Sequence, residues 1–213
     1  MTKQNKLTFA IAKGRIMEES LPLLAEIGIK PKEDINRSRK LIFPTNHPHI
    51  DLIIVRATDV PAYVSHCATD LGIAGKDTLL EYLEPDFYEM LDLKISPCKL
   101  MVAGLAGSKI QMPPMQRVSV ATKYPETTKK YFASKNRSVE IIKLYGSMEL
   151  APVTGLADYI VDIVDTGKTL QQNGLEALET IMPISSRLIV SKNTLKTKYQ
   201  LVNQLISDLK LVI

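Results

Sequence analysis

A strand-like run that ends in a short polar turn is the segment of this sequence best suited to chemistry. Residues 160–170 have the sequence IVDIVDTGKTL, so β-branched residues lead into a turn (residues 165–169, the polar turn) that contains an acid, two hydroxyls, a glycine and a lysine. Main-chain amides at the start of a helix are unpaired, and the helix dipole favours an anion beside them. Gly167 permits a positive φ angle and a close approach of the backbone to a ligand. The pattern predicts a phosphate site.

The side chains of the polar turn are consistent with this prediction without proving it. Thr166 and Thr169 supply hydroxyl donors, and Lys168 either adds positive charge or points to solvent. The Gly-x-x-x-x-Gly-Lys spacing of nucleotide hydrolases is missing, which excludes a P-loop of that type. On the turn alone, a plain connection between a strand and a helix explains the pattern equally well.

Two acidic residues in the same segment need a separate explanation, because carboxylates repel phosphate. Asp162 and Asp165 would be useful beside a ribose, whose hydroxyl groups donate hydrogen bonds to carboxylates, or near Mg²⁺. A phosphate turn with adjacent acids therefore indicates a sugar phosphate ligand.

Basic residues follow the first two long apolar strands that the sequence predicts. Lys13 and Arg15 flank a glycine after the strand at 7–12, and Arg56 ends the strand at 50–55. Ligands of α/β proteins bind at the carboxyl ends of strands, and a guanidinium there can hold pyrophosphate through two parallel hydrogen bonds. The alternatives are a solvated basic loop at 13–15 and a surface ion pair of Arg56 with Asp59.

Other candidate residues are less informative. Lys76 follows the strand at 71–74 in the same manner as Arg56, with a surface role as the alternative. His47 and His49 flank a proline and lack neighbouring acid or cysteine ligands, which makes a metal site a weak hypothesis. No nucleophile–base pair can be identified, and this fits a direct displacement. We call Lys13, Arg15, Arg56 and Lys76 the strand-end cations.

Alternating strands and helices predict an α/β protein with substantial parallel pairing. The predicted strands are 7–12, 41–43, 50–55, 71–74, 100–104, 117–122, 139–144, 159–164 and 187–190. The predicted helices are 16–27, 58–67, 77–83, 125–134 and 194–209, with a helical turn at 146–151. Thr58 is the predicted cap of the second helix. In the last helix, the residues predicted to face inward are Leu195, Tyr199, Val202 and Leu205 or Ile206.

The domain organisation follows from two predicted crossings. A crossing near 93–98 and a return near 182–183 divide the chain into a discontinuous lobe I, residues 1–95 plus 183–213, and a lobe II, residues 96–182, that contains the polar turn.

Composition excludes several classes of protein. Hydrophobic residues make up 45% and charged residues 23% of the 213, which is ordinary for a globular fold. No apolar run reaches the roughly 20 residues of a membrane span, and the apolar start is too short for a signal peptide, so we expect a cytoplasmic protein. Cys67 and Cys98 fit no zinc or disulfide pattern. The net charge of +4 is too small to indicate nucleic-acid binding but suits an anionic small substrate.

The segment 149–170, which includes the polar turn, resembles the signature of the ATP phosphoribosyltransferases, the enzymes of the first step of histidine biosynthesis. The matching positions are Glu149, Gly155, Ala157, Ile160, Asp162, Thr166, Gly167, Thr169 and Leu170. Residues 173–175 and 13–15 resemble the family too, and the resemblance covers essentially the whole chain.

The resemblance implies a reaction and a fold. N1 of ATP would attack the anomeric carbon of phosphoribosyl pyrophosphate with inversion, and pyrophosphate would leave, with Mg²⁺ bound by the substrates and not by a dedicated protein site. The fold would be α/β with two lobes, like the type II periplasmic binding proteins, and an active-site cleft between the lobes.

The resemblance also implies roles for the candidate residues. The amides of residues 166–169 would hold the ribose 5-phosphate, and Asp162 or Asp165 would hold ribose hydroxyls. Three of the strand-end cations would hold the triphosphate or the departing pyrophosphate. The candidate catalytic residues are Arg56, Lys13 and Arg15, and the candidate substrate-binding residues are Glu149, Asp162, Asp165, Thr166, Gly167, Lys168, Thr169 and Lys76.

Chain length adds an expectation about partners. Long members of the family carry a C-terminal regulatory domain that binds histidine, and this chain ends at Ile213 after its last predicted helix. It therefore resembles the short form, which works with a regulatory subunit resembling histidyl-tRNA synthetase in a hetero-octamer. Two alternatives remain: a solute-binding module without chemistry, and a phosphoribosyltransferase that acts on another base.

Overall fold

Two mixed β-sheets, each with its own helices, make up the protein in this computed structural model, which describes residues 6–110 and 118–213. Unit 1 comprises Met1–Ser96 and Ser185–Ile213, and unit 2 comprises Pro97–Ile184. The chain therefore leaves unit 1 once, at Ser96, and returns to it once, at Ser185.

The sheet of unit 1 has six strands in the order β2-β3-β1-β4-β11-β5. The strands are β1 (Leu7–Ala12), β2 (Ile42–Pro44), β3 (Ile50–Val55), β4 (Leu71–Gly75), β5 (Phe87–Asp92) and β11 (Ser186–Ser191). Strand β1 is parallel to β3 and β4, whereas β2, β11 and β5 pair antiparallel to their neighbours.

The register of the three parallel strands decides where their following loops lie. Ala12 is the partner of Val55, and Ile11 is the partner of Ile73 two residues before the end of β4. Because parallel strands have their carboxyl ends at the same edge of a sheet, the segments that follow β1, β3 and β4 are neighbours. The register thereby brings the strand-end cations to one edge of unit 1.

Among its described residues, unit 1 has five α-helices beside its sheet. They are α1 (Arg15–Glu26), α2 (Val60–Ser65), α3 (Lys76–Glu81), α7 (Lys192–Thr197) and α8 (Tyr199–Lys210). Helix α1 buries Leu24 completely against the sheet, and Gly28 with φ of +82° ends it, since its N–H and that of Ile29 return to carbonyls of the last turn.

The sheet of unit 2 has five strands in the order β10-β6-β9-β7-β8. The strands are β6 (Cys98–Leu105), β7 (Val118–Thr122), β8 (Val139–Lys143), β9 (Tyr159–Val164) and β10 (Leu175–Ile184), and the helices are α4 (Pro125–Ser134), α5 (Leu150–Val153) and α6 (Lys168–Gln172). Strands β7, β8 and β9 are parallel, so the polar turn after β9 lies at their common carboxyl edge.

The structure corrects the predicted C-terminal helix. Residues 194–209 do not form one helix, because the backbone leaves helical geometry at Lys198 (φ −128°, ψ 31°) between α7 and α8. Tyr199, predicted inward, begins α8 and is 58% exposed, whereas Val202, Leu205 and Ile206 are buried as predicted.

Other differences concern segments with weak sequence patterns. Thr58 does not cap a helix, since it lies within a 3-10 helix, Ala57–Asp59, that precedes α2. Strands β5 and β10 were not predicted, and both are edge strands whose charged residues interrupt the apolar pattern. Arg117, the predicted start of the strand at 117–122, lies outside the described residues.

Within residues 6–110 and 118–213, no helix combines the length and the apolar character needed to cross a membrane.

Candidate active site

A pocket of ≈ 190 Å³ lies at the carboxyl end of β9 in unit 2. Its lining comprises Glu149, Asp162, Ile163, Val164, Asp165, Thr166, Gly167, Thr169 and Leu170. The structure thus brings together six of the eight predicted substrate-binding residues. Of the other two, Lys168 lies in the polar turn but does not line the pocket, and Lys76 belongs to unit 1.

An apolar cluster beneath the pocket holds its walls in place. Met148 and Ala151 on either side of Glu149 are buried in the same cluster as Val164 and Leu170, which flank the polar turn. Because all four side chains are at most 8% exposed, the start of α5, the start of α6 and the end of β9 share one buried cluster. The acid and the turn therefore face a common space through ordinary core packing.

Gly167 adopts the backbone conformation that the sequence predicts. It is the N-terminal flanking residue of α6, with φ of +75° and ψ of 0°, and its carbonyl accepts the Gln171 N–H at 3.1 Å. A Cβ atom at this position would lie 3.9 Å from the nearest atom, in the Val164 side chain, so a larger residue would not clash with its neighbours. The left-handed backbone does require the glycine, because other residues adopt that region at a cost.

The polar turn offers hydrogen-bond donors to the pocket. N–H groups in the first turn of a helix have no carbonyl partner within it, and those of residues 167–169 belong to this class. The Thr166 hydroxyl accepts the Lys168 N–H at 3.4 Å, and both threonine side chains of the turn are exposed. The donors at the start of α6 suit a phosphate group.

The acids of the pocket are acceptors that suit sugar hydroxyls. Asp162 is half-buried on β9, and its Oδ1 accepts the N–H of Ile163 at 2.8 Å. Asp165 is exposed in the turn, and Glu149 is half-buried at the start of α5. Three carboxylates next to a donor-rich turn match a ligand that has both hydroxyls and a phosphate.

The strand-end cations of unit 1 divide into two pairs. The first is Lys13 and Arg56. The N–H of Lys13 donates to the carbonyl of Val55 at 2.8 Å, so the two cations follow neighbouring strand ends. Arg56 is exposed, and among the described residues neither cation forms an ion pair. The alternative ion pair of Arg56 with Asp59 does not form between these described residues, and Asp59 accepts a hydrogen bond from the Thr58 hydroxyl at 3.3 Å.

The second pair, Arg15 and Lys76, is held by acids. Nε of Arg15 lies 2.8 Å from Oε1 of Glu19, and Nζ of Lys76 lies 2.5 Å from Oε2 of Glu89. The Lys76 pair is about 30% exposed on both sides, which favours its structural interpretation over a ligand contact. Nothing in the patterns above singles out Glu19, although its spacing of four residues from Arg15 on a predicted helix is the signal for such a pair.

The fold and the pocket define the protein as a two-lobed α/β protein of the periplasmic-binding-protein type. The aliphatic sulphonate binding protein SsuA from Escherichia coli has this fold, with a TM-score of 0.60 and 13% identity over 98% of this chain and 68% of that one. The chain belongs to the ATP phosphoribosyltransferase family (HisG), whose model matches residues 56–211.

Individual relatives agree with the family assignment. An ATP phosphoribosyltransferase of Marinomonas sp. is 58% identical over 91% of this chain and 89% of its own length, and one of Pseudomonas fluorescens is 55% identical over 96% and 95%. The HisG:HisZ complex of Thermotoga maritima contains a chain with a TM-score of 0.81 and 34% identity, covering 97% of this chain and 98% of that one. The protein is thus a phosphoribosyl-transferring enzyme of histidine biosynthesis.

Proposed function

We propose that the chain transfers the 5-phosphoribosyl group of phosphoribosyl pyrophosphate to N1 of ATP and releases pyrophosphate. The observation that supports this proposal best is the β9 pocket. Groups that can donate hydrogen bonds to a phosphate and carboxylates that can accept them from sugar hydroxyls line the same space there. A ribose 5-phosphate has both groups at the spacing of one sugar ring. The family assignment supplies the reaction class, and the pocket supplies the place for the sugar.

Unit 2 holds the sugar half of the donor substrate in this proposal. The amides at the start of α6 and the Thr169 hydroxyl bind the 5-phosphate, and Asp162 or Asp165 accepts hydrogen bonds from the ribose hydroxyls. Glu149 also lines the pocket and adds a third acceptor. Lys168 contributes positive charge at the mouth of the same turn.

Unit 1 holds the phosphate chains. Arg56 and Lys13 carry positive charge at one sheet edge with no ion partner among the described residues, and Arg15 begins α1 beside them. A guanidinium matches pyrophosphate oxygens in geometry as well as charge. Mg²⁺ enters with the substrates, bound by their phosphate oxygens, as small cations that keep several waters commonly do.

The proposed mechanism is a direct displacement at the anomeric carbon. The bond from N1 of adenine to that carbon forms as the bond to the pyrophosphate oxygen breaks, and pyrophosphate leaves with the electron pair. The protein contributes position and charge: unit 2 fixes the sugar, and Arg56, Lys13 and Arg15 stabilise the negative charge that develops on the leaving group. No covalent enzyme intermediate is required.

Pyrophosphate release tests the proposed function. The purified chain is incubated with Mg²⁺, ATP and phosphoribosyl pyrophosphate, and each substrate is left out in turn. Release that needs both substrates supports the transferase. Silence with the chain alone and also with a HisZ-type subunit would favour a solute-binding module, which is the alternative that the SsuA-like fold permits.

The Thr169→Ala variant tests the role of the polar turn. It should raise the KM for phosphoribosyl pyrophosphate about tenfold, since one hydrogen bond to a charged phosphate is lost, while the KM for ATP changes little. Steady-state kinetics with each substrate varied would measure this. Thr180→Ala is the matched control, because Thr180 is an exposed threonine of β10 outside the pocket lining. An unchanged KM in Thr169→Ala would remove the turn from phosphate binding.

The protein also acts, we propose, with a HisZ-type regulatory subunit in a hetero-octamer in the cytoplasm. The supporting observation is the similarity to a HisG chain that was solved as a HisG:HisZ complex. Mixing the purified chain with such a subunit should give a species larger than either protein alone in light scattering. Two unchanged peaks at micromolar concentrations would contradict the partnership.

A further inference from the structure

Glu19 connects a strand-end cation to the point where the chain leaves unit 1. Its Oε1 accepts the Nε–H of Arg15 at 2.8 Å, and its Oε2 accepts the main-chain N–H of Ser96 at 2.5 Å. Ser96 is the last residue of the first segment of unit 1. One carboxylate oxygen therefore accepts from a side chain, and the other accepts from the backbone.

Helix stability does not explain the position of Arg15. It is the first residue of α1, at the positive end of the helix dipole, where a cation is disfavoured and an acid such as Glu18 is favoured. Its pairing with Glu19 also has the basic residue N-terminal to the acid, which is the less favourable order for a pair four residues apart. Residues that break such local rules are expected at functional sites.

The bond to Glu19 fixes the Nε edge of the Arg15 guanidinium. A guanidinium carries five N–H donors on two edges, and the contact with Glu19 uses the Nε–H of one edge. The edge formed by the two terminal nitrogens is the one that binds a phosphate through parallel hydrogen bonds. Fixing Nε therefore fixes the direction in which that edge points.

The second contact of Glu19 makes its own position rigid. Ser96 has a φ angle of +49°, a left-handed conformation that non-glycine residues adopt at a cost, and the Glu19 carboxylate accepts the N–H exposed there. The pKa of Glu19 lies below its ordinary value, chiefly because the Arg15 side chain donates to it; partial burial opposes this, and the Ser96 N–H adds to the lowering. Glu19 is therefore charged, and held from both sides, at neutral pH.

We propose that Glu19 is a positioning residue for the phosphoribosyl transfer, which aligns Arg15 with the phosphate chain of a substrate by holding its Nε against the fixed backbone at Ser96. The inference rests on the proposed role of Arg15 in phosphate binding. It assigns to Glu19 no contact with substrate. Its effect on the reaction passes through Arg15 alone.

A double-mutant cycle tests this inference with three variants: Glu19→Gln, Arg15→Ala and the combination. Glu19→Gln keeps the size of the side chain but replaces one acceptor oxygen by an NH₂ group, so it cannot accept from both partners. We expect kcat/KM to fall about tenfold in Glu19→Gln, and no further fall when Glu19→Gln is added to Arg15→Ala. The control Glu18→Gln, which removes an exposed acid from the same turn of α1, should leave kcat/KM unchanged.

Two results would overturn the inference. Equal losses from Glu19→Gln with and without Arg15 would show that Glu19 acts on the fold and not through Arg15. Wild-type kcat/KM in Glu19→Gln would show that Arg15 needs no alignment. Circular dichroism melting of each variant corrects the rates for the folded fraction, and Glu19→Asp gives a second variant if Glu19→Gln is unstable. Pyrophosphate release by the wild-type enzyme is measured in the same experiment. If the wild type is inactive, the proposed function fails, whereas a failure of the Glu19 inference appears only in the variants.

Discussion

Replacement of Arg56 by alanine should lower kcat about 10²-fold, which corresponds to about 2.7 kcal/mol of lost transition-state stabilisation. The reason is electrostatic. Arg56 follows the carboxyl end of β3, is exposed, and has no ion partner among the described residues, so its charge is available to the pyrophosphate that leaves. Additional negative charge develops on that group as the bond breaks, and a contact that strengthens at that point raises kcat.

The Arg56 prediction separates charge from geometry through a second variant. Arg56→Lys keeps the charge but loses the planar fork, so we expect an intermediate loss. Arg37→Ala is the matched control, because Arg37 is 89% exposed and pairs with Asp34 on the surface. Pre-steady-state measurement of pyrophosphate release gives the rate constant of the chemical step, and steady-state measurement gives kcat. A folded Arg56→Ala enzyme with wild-type turnover would exclude Arg56 from the leaving-group site.

Replacement of Asp70 by alanine should lower the free energy of unfolding by about 3–5 kcal/mol. The Asp70 carboxylate accepts hydrogen bonds from the N–H and hydroxyl of Thr8, the hydroxyl of Thr194 and Nζ of Lys198. Asp70 and Lys198 are only 13% and 14% exposed, so the variant leaves a largely buried ammonium group without its acid. The carboxylate joins β1 to the C-terminal helices, and its loss should loosen both.

Thermal melting followed by circular dichroism measures this effect. We expect the apparent Tm of Asp70→Ala to fall by about 10 °C. Asp86→Ala is the matched control: its pair with Lys192 in the same unit is 59% and 38% exposed, and its loss should cost about 1 kcal/mol or less. Equal shifts in the two variants would contradict the structural role given to Asp70.

The polar turn and its strand were predictable from the sequence because their signals are local. A β-branched run predicts β9 at its observed bounds, and a glycine before a short helix predicts the positive φ that Gly167 shows. The α/β class was predictable for the same reason, since strand–helix alternation is visible in the order of the residues. The structure and the comparisons confirm the class and the family.

Features that depend on distant contacts were not predictable. Edge strand β10 is identified by its pairing with β6, and the glutamates along it hide the apolar pattern that a strand prediction needs. The break at Lys198 is similar, because Lys198 is held by Asp70, 128 residues away in sequence. Local propensity favours one continuous helix there, and tertiary contacts override it.

The candidate site shows the same division. The members of the β9 pocket lie within residues 149–170, so the motif identifies them together. The partner of Lys76 was not visible, since Glu89 meets it only through the antiparallel pairing of β5 with β11. The predicted roles of the individual residues in substrate binding stay predictions until the variants above are measured.

The most direct test of the central claim is the identity of the product formed from ATP and phosphoribosyl pyrophosphate. Mass spectrometry should find one adduct with the mass of both substrates less pyrophosphate, and ¹⁵N-labelled ATP should place the new bond at N1 of the adenine ring by NMR. That result would establish transfer to ATP by this chain. Pyrophosphate release without such an adduct, or a phosphoribosyl group on another acceptor, would contradict the account.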